Sequence, residues 1–402
     1  MNKKYLRKKF IKRKFHKSKL NRFKHKTKFH KKRTKFNIII KYLFFIFFLS
    51  FIILSITFNN ENILYATDFN ITSDKWIVMT VSNPPTETIK NLEKKIKQWK
   101  IVVICNNVTI ESNWDLFKSS NNLIFLPIIA QNKLGYNLLK YLNYNSYCRK
   151  NIGYLFAIQH GAKEIYEIDE NLEFSPDNLS FLDINVNDSF ISYGKENNPK
   201  MINPYIHFGE SNIWPRGFII RDISSEHNKT FHYTHFSKIK LKPLVYQGLI
   251  NNIPDADSLF LLTNVKKNKN LDISFSNNCP LLYLPGNYIP INSKNTKYLY
   301  KIFPFLMLPV TINESIADIL RGYIIERFAF KYKGTIAFHN TNLYNNKVVN
   351  NSKLLEEKEI YLYSNKILEI IKSNKNTRKN FKKLLFEIIN ELIFSCFNFY
   401  IF

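Results

Sequence analysis

Short apolar runs recur through the middle of the chain: Trp76–Val81, Ile101–Cys105, Leu123–Pro127 and Glu164–Ile168. Each has the length of a buried strand. Stretches of helical spacing lie between them. One follows the turn Asn83-Pro84-Pro85-Thr86 and reaches about Trp99, and a second is centred on Leu134–Leu142. A third covers Arg149–Ala162, where Ile152, Leu155, Phe156 and Ile158 share a face and Gly161 stands where a helix C-cap belongs. Strands alternating with helices predict an α/β fold with a doubly wound, mostly parallel sheet. The chain has no GxGxxG or GxxxxGKS segment, so it lacks the phosphate cradles of dinucleotide dehydrogenases and P-loop enzymes.

The second half is less regular. Asn203–Gly209 and Ile213–Gly217 mix turn formers with aromatic residues, and Gln247-Gly248 with Pro254–Asp257 reads as an acidic loop. Further loops are expected at Pro285–Tyr288 and Asn292–Thr296, a helix over Ile316–Phe330 that ends near Gly334, and a polar loop over 340–358. Leu384–Phe402 is very apolar but carries Glu387 and Glu391, which favours an amphipathic helix docked on the body over a second membrane span.

A different pattern occupies the N-terminal region. Tyr42–Phe58 is 17 residues without a charge, and with Ile38–Ile40 and a snorkelling Lys41 it approaches the length that spans a bilayer. We read 37–58 as an uncleaved signal anchor, 59–74 as a polar stem, 75–345 as the main domain and 346–402 as a helical C-terminal extension. Residues 1–36 hold 18 Lys or Arg and no acid. The positive-inside rule places this tail in the cytosol and the body in a lumen. The net charge of +28 is therefore mostly local: setting aside that tail and Lys41 leaves 40 basic against 31 acidic residues, about +9. A basic tail beside an anchor meets anionic lipid sooner than nucleic acid. Four cysteines without CxxC spacing support no zinc site; Cys105 reads as a buried apolar residue, and Cys148 and Cys279 are open to pairing.

The chemistry concentrates after the Glu164–Ile168 strand. Glu167, Asp169 and Glu170 are hard oxygen donors at the C-terminal end of a strand, where ligands bind in open α/β sheets. They read either as ligands of magnesium or manganese bridging a diphosphate, or as a solvated loop. Arg149 and Lys150 are candidates to pair with the diphosphate, although a basic pair opposes the dipole at a helix N-terminus. Asp255 and Asp257 are candidates for acceptor binding or a general base, with turn chemistry after Pro254 as the rival reading. His207 and Arg216 are candidates for the donor pocket, His207 reading equally well as a buried structural histidine. Asp318 and Arg321, three residues apart on one helix, read as site residues or as an ion pair with each other.

The blocks RKNIGYLFAIQHGAKEIYEIDEN, NPYIHFGESNIWPRGF, YQGLINNIPDADSLFLLT, PGNYIPINSKNT and SIADILRGYIIERFAF, in this order over about 76–345, resemble the STELLO family. That family comprises Golgi type II membrane proteins with a glycosyltransferase domain. The resemblance implies a GT-A-like fold, a nucleotide-sugar donor, a glycan or protein acceptor, a divalent metal and a lumenal body in the Golgi. It also implies, as partner, a polysaccharide synthase or a second copy of the chain. The alternative is a non-catalytic Golgi scaffold that keeps the fold.

Overall fold

The computed structural model describes residues 71–174, 191–193, 201–219, 242–265, 271–276, 279–283, 287–310, 312–346, 357–358 and 360–361. The chain falls into two compact units, and, apart from Asn137, the residues named below belong to the larger, Thr67–Leu134 with Leu138–Phe402. The expected tail, anchor and stem up to residue 70, and the apolar segment 384–402, lie outside the described residues. Among the described residues no helix is long and apolar enough to cross a membrane.

The first half follows the apolar runs. β1 (Lys75–Val81), β2 (Lys100–Cys105) and β3 (Leu123–Leu126) pair in parallel, and β4 (Glu164–Ile168) joins the other side of β1. Helix α1 (Glu87–Lys95) is started by Thr86, whose hydroxyl accepts from the Ile89 N–H. α2 covers Ile128–Lys133 and α3 covers Lys150–Gln159, the latter buried from Lys150 through Ala157. Trp76, Ile77, Val78 and Ile101–Cys105 are fully buried, as expected of strands covered on both faces. Gly161 follows the end of α3 at φ +90°, and α3 closes on β1 because Gly153 offers no Cβ to Val78.

The second half completes a ten-stranded mixed sheet. Its order is β3-β2-β1-β4-β9-β7-β10-β8-β6, with β5 (Leu172–Phe174) also on β10. β7 (Pro243–Asn252) and β10 (Thr335–Asn345) run parallel to each other. β9 (Asn295–Leu299) lies antiparallel between β4 and β7. β8 (Leu281–Tyr283) is antiparallel to β10, and β6 (Ile191–Tyr193) is parallel to β8. Two helices flank this half, α4 (Ser258–Val265) and α5 (Glu314–Lys331). The mixed α/β architecture fits the GT-A-like expectation, with antiparallel strands more numerous in its second half than a doubly wound reading foresees.

Several boundaries differ from the sequence reading. Gln247-Gly248 is the middle of β7, not a loop, because apolar neighbours on both sides carry the strand through it. β9 begins inside the expected loop Asn292–Thr296, and β10 continues through Asn345 into the expected polar loop. In both places the polar side chains bond to each other inside the fold: Asn295 Nδ2 donates to Asn342 Oδ1 at 2.7 Å. The expected helix at Leu134–Leu142 is a 3-10 turn over Asn137–Tyr141, preceded by α2.

Candidate functional site

β1, β2, β4, β7 and β10 all end at one edge of the sheet, and β9 starts there. The chain goes outward from β1 to β2 and β3, then returns to β4 on the other side of β1. That reversal makes a switch point between the ends of β1 and β4, the place where ligands bind in open α/β sheets. Glu170 spans it: its Oε2 accepts from the N–H groups of Ser82 and Asn83 at 2.8 and 3.1 Å, and its Oε1 from Asn83 Nδ2 at 2.8 Å. Glu170 thus closes the loop after β1.

Asp169 faces the start of α3. Its Oδ1 accepts from Lys150 Nζ at 2.8 Å and from the Tyr147 hydroxyl at 3.2 Å. Lys150 is fully buried and also donates to Tyr147 Oη at 2.9 Å and to the Ser293 carbonyl at 3.0 Å. An ammonium has three N–H donors, so all of Lys150's are used. This settles why a basic residue stands at a helix N-terminus: it is held by a carboxylate and two oxygens. Arg149, also buried, donates to Gln131 Oε1 through Nε at 3.0 Å, and Gln131 in turn ties the carbonyls of Cys105 and Leu126. Arg149 has no acidic partner among the described residues.

From Ser293 a polar chain continues to the far side of the edge. The Ser293 N–H and hydroxyl donate to Asp318 Oδ2 at 3.3 and 3.2 Å. Asp318, on the first turns of α5, receives Arg216 through Nη1 at 2.9 Å and Nη2 at 2.6 Å. Arg216 also donates to Asp255, through Nε at 3.0 Å and Nη2 at 3.1 Å. Lys294 Nζ donates to Asp255 Oδ1 at 2.5 Å, and its side chain is 31% exposed. Burial would raise the carboxyls of Asp255 and Asp318, but Arg216 outweighs it and holds both below the usual range. Gln247 fixes the strand start that carries Ser293 and Lys294: it donates to the Asn295 carbonyl at 3.0 Å and accepts from the Asn292 N–H at 3.0 Å.

A segment outside the expected domain reaches this cluster. Glu357 accepts from the Ser258 hydroxyl and approaches Arg216 Nε at 3.6 Å. Burial raises its carboxyl to about 7, against the opposing pull of Arg216. Tyr361 donates to Asp257 at 2.9 Å, and Asp257 also accepts from the Leu259 N–H at 2.9 Å, so it caps α4.

The expected site residues therefore separate. Asp169, Lys150, Asp318, Arg216 and Asp255 meet in one chain of contacts through Ser293. Asp318 and Arg321 do not pair with each other: Asp318 is taken by Arg216 and Ser293, and Arg321 by Glu167. Arg321 bonds Glu167 through Nη2–Oε1 at 2.6 Å and Nη1–Oε2 at 3.2 Å, in full burial, and the Tyr298 hydroxyl adds a bond to Glu167 at 2.8 Å. His207 is buried against the Cys279 carbonyl at 2.8 Å, and burial lowers its pKa. Cys105 and Cys148 are buried and free, and Cys279 is exposed and free.

Tyr147, Ser293, Lys294, Gln247, Glu357 and Tyr361 were missed as site residues. For Ser293 and Lys294 a signal existed in the block PGNYIPINSKNT. Nothing in the polar stretch around Glu357 set it apart.

The residues do not fit a protein-built metal cage. Glu167 is consumed by Arg321, Glu170 by backbone amides, and one oxygen of Asp169 by Lys150 and Tyr147. Among the described residues no three His, Cys, Asp or Glu side chains are grouped to hold an ion.

No family model matches the chain. Two Arabidopsis thaliana proteins are similar to it, named "Probable glycosyltransferase STELLO1" and "Probable glycosyltransferase STELLO2". The first is 33% identical over 335 residues, 81% of this chain, and the second 33% identical over 331 residues, 80% of this chain. The chain spans 42% of the length of each. It is a STELLO-like protein, similar along about four fifths of its length to proteins that bear the name glycosyltransferase.

Proposed function

We propose that the chain transfers a sugar from a nucleotide-sugar donor to a glycan or protein acceptor, from a body held in the Golgi lumen by the anchor at 37–58. The observation that carries this reading is the polar chain Asp169–Lys150–Ser293–Asp318–Arg216–Asp255–Lys294, set at the strand ends. The names borne by the two relatives support it. In the reaction the bond from the anomeric carbon to the donor phosphate breaks, and the acceptor oxygen forms the new glycosidic bond and releases its proton. Cations at the site meet the charge that grows on the leaving diphosphate. Of the carboxylates beside Arg216, Glu357 has the proton affinity that suits a base near neutrality. Asp255 and Asp318, held low by Arg216, serve as anchors.

A second reading, a non-catalytic scaffold for a polysaccharide synthase, draws on the occupancy of those two carboxylates by Arg216 and Lys294. The test is release of nucleotide diphosphate from a panel of UDP- and GDP-sugars by the full chain, beside Glu357→Gln. Turnover of one donor, reduced in the variant, is the expected result. A folded chain that consumes none of them, with or without candidate acceptors, would sink the enzymatic reading in favour of the scaffold.

A further inference from the structure

The acids at the end of β4 and just after it are already occupied in different ways, and the divalent cation that the family resemblance implies has a rival in the fold itself. Lys150 Nζ sits 2.8 Å from Asp169 Oδ1, fixed by two further oxygens. A divalent ion that approached Asp169 would meet this buried ammonium at close range and be repelled by it. Glu167 cannot turn outward without leaving Arg321 unpaired in the core. Glu170 cannot without opening the loop after β1.

Lys294 is placed differently. It is bonded to Asp255, its side chain is 31% exposed, and Asp169 lies near enough to act on its charge. An ammonium bonded to one carboxylate retains N–H donors for an incoming oxyanion. Asp255 shares its charge between Lys294 and Arg216, so Lys294 is not fully neutralised by it.

Resting on the nucleotide-sugar reading, we propose that Lys294, and not a divalent cation, meets the diphosphate of the donor, with Lys150 taking the Asp169 oxygen Oδ1 in place of a metal. Asp169 then orients Lys150, Tyr147 and the Ser293 backbone, which in turn presents Lys294.

The test is calorimetric binding of UDP, with GDP as second probe, to the full chain in EDTA and in manganese. The wild type, Lys294→Met, Lys294→Arg and Asp169→Asn are compared, each checked for folding by circular dichroism. The expected result is the same affinity in EDTA as in manganese, a loss of about tenfold or more in Lys294→Met, and near-wild-type binding in Lys294→Arg. Binding that appears only with manganese and disappears in Asp169→Asn overturns the proposal and leaves the nucleotide-sugar reading standing. Equal binding by wild type and Lys294→Met also overturns it. A folded wild type that binds neither nucleotide under either condition overturns both.

Discussion

Arg321 and Arg216 are both buried guanidiniums at helix α5, yet their surroundings differ in kind. Arg321 is closed on itself: one carboxylate, Glu167, and two tyrosines, Tyr154 and Tyr298, take its fork, and every member is buried. Arg216 is shared among Asp255, Asp318 and, at longer range, Glu357, and through Asp255 it connects to the partly exposed Lys294. Apart from the Arg321 Nε, which is buried without a partner, the closed knot is satisfied within the core, and its business is to hold α5 against β4. The open chain has unequal sharing and an exit to solvent. A buried charge network with an exit is where a ligand can substitute for an internal partner, and one without is a structural weld.

The largest expected effect breaks the closed knot. Arg321→Met leaves Glu167 charged and unpaired in the core and should cost roughly 3–5 kcal/mol in urea unfolding. Glu167→Leu with Arg321→Met together should recover part of that. If Arg321→Met instead weakened nucleotide binding with stability unchanged, the contrast between the two networks would be wrong. A smaller effect sharpens the open one through pH. Burial raises Glu357 to about 7, so the folded state holds that proton more tightly than the unfolded chain. This stabilisation is complete below the ordinary glutamate range and is lost as pH rises through about 7. Wild type should therefore lose on the order of 2 kcal/mol relative to Glu357→Gln between pH 5 and 8, read as the difference in their melting temperatures across pH. The smallest effect is steric. A Cβ at Gly322 would sit 2.6 Å from the Ile291 carbonyl oxygen, which is backbone and cannot turn aside. Gly322→Ala should cost about 1–2 kcal/mol despite its better helix propensity, and should disturb nucleotide binding because Ile291 leads directly into Ser293 and Lys294.

The first half of the fold was legible because its strands are buried on both faces and bounded by turns. Apolar runs at 76–81, 101–105, 123–127 and 164–168 mark β1 to β4 within a residue or two. α5 was legible from its period, and α3 from its period and Gly161. β7 and β9 were not, because Gln247, Gly248, Asn295 and Thr296 look like loop residues until their partners are known. Gly248 is there because Asn295 packs directly on it, with no room for a Cβ. Asn295 is buried because Leu249 and Asn342 take its amide. Polar residues satisfied by one another inside a sheet leave no hydrophobic period for a sequence reading to find.

The same division runs through the candidate site. The sequence alone determined that carboxylates follow β4, that a basic pair opens α3, and that the chain resembles the STELLO family. Those facts are local in the chain or spread over long blocks, and neither needs three dimensions. Only the tertiary structure decided which charges meet. Residues 216, 255 and 318 are far apart in sequence, and Asp318 pairs with Arg216 while its helical neighbour Arg321 is held by Glu167 from β4. Pairing of buried charges is a matter of angstroms and desolvation, and linear spacing carries neither.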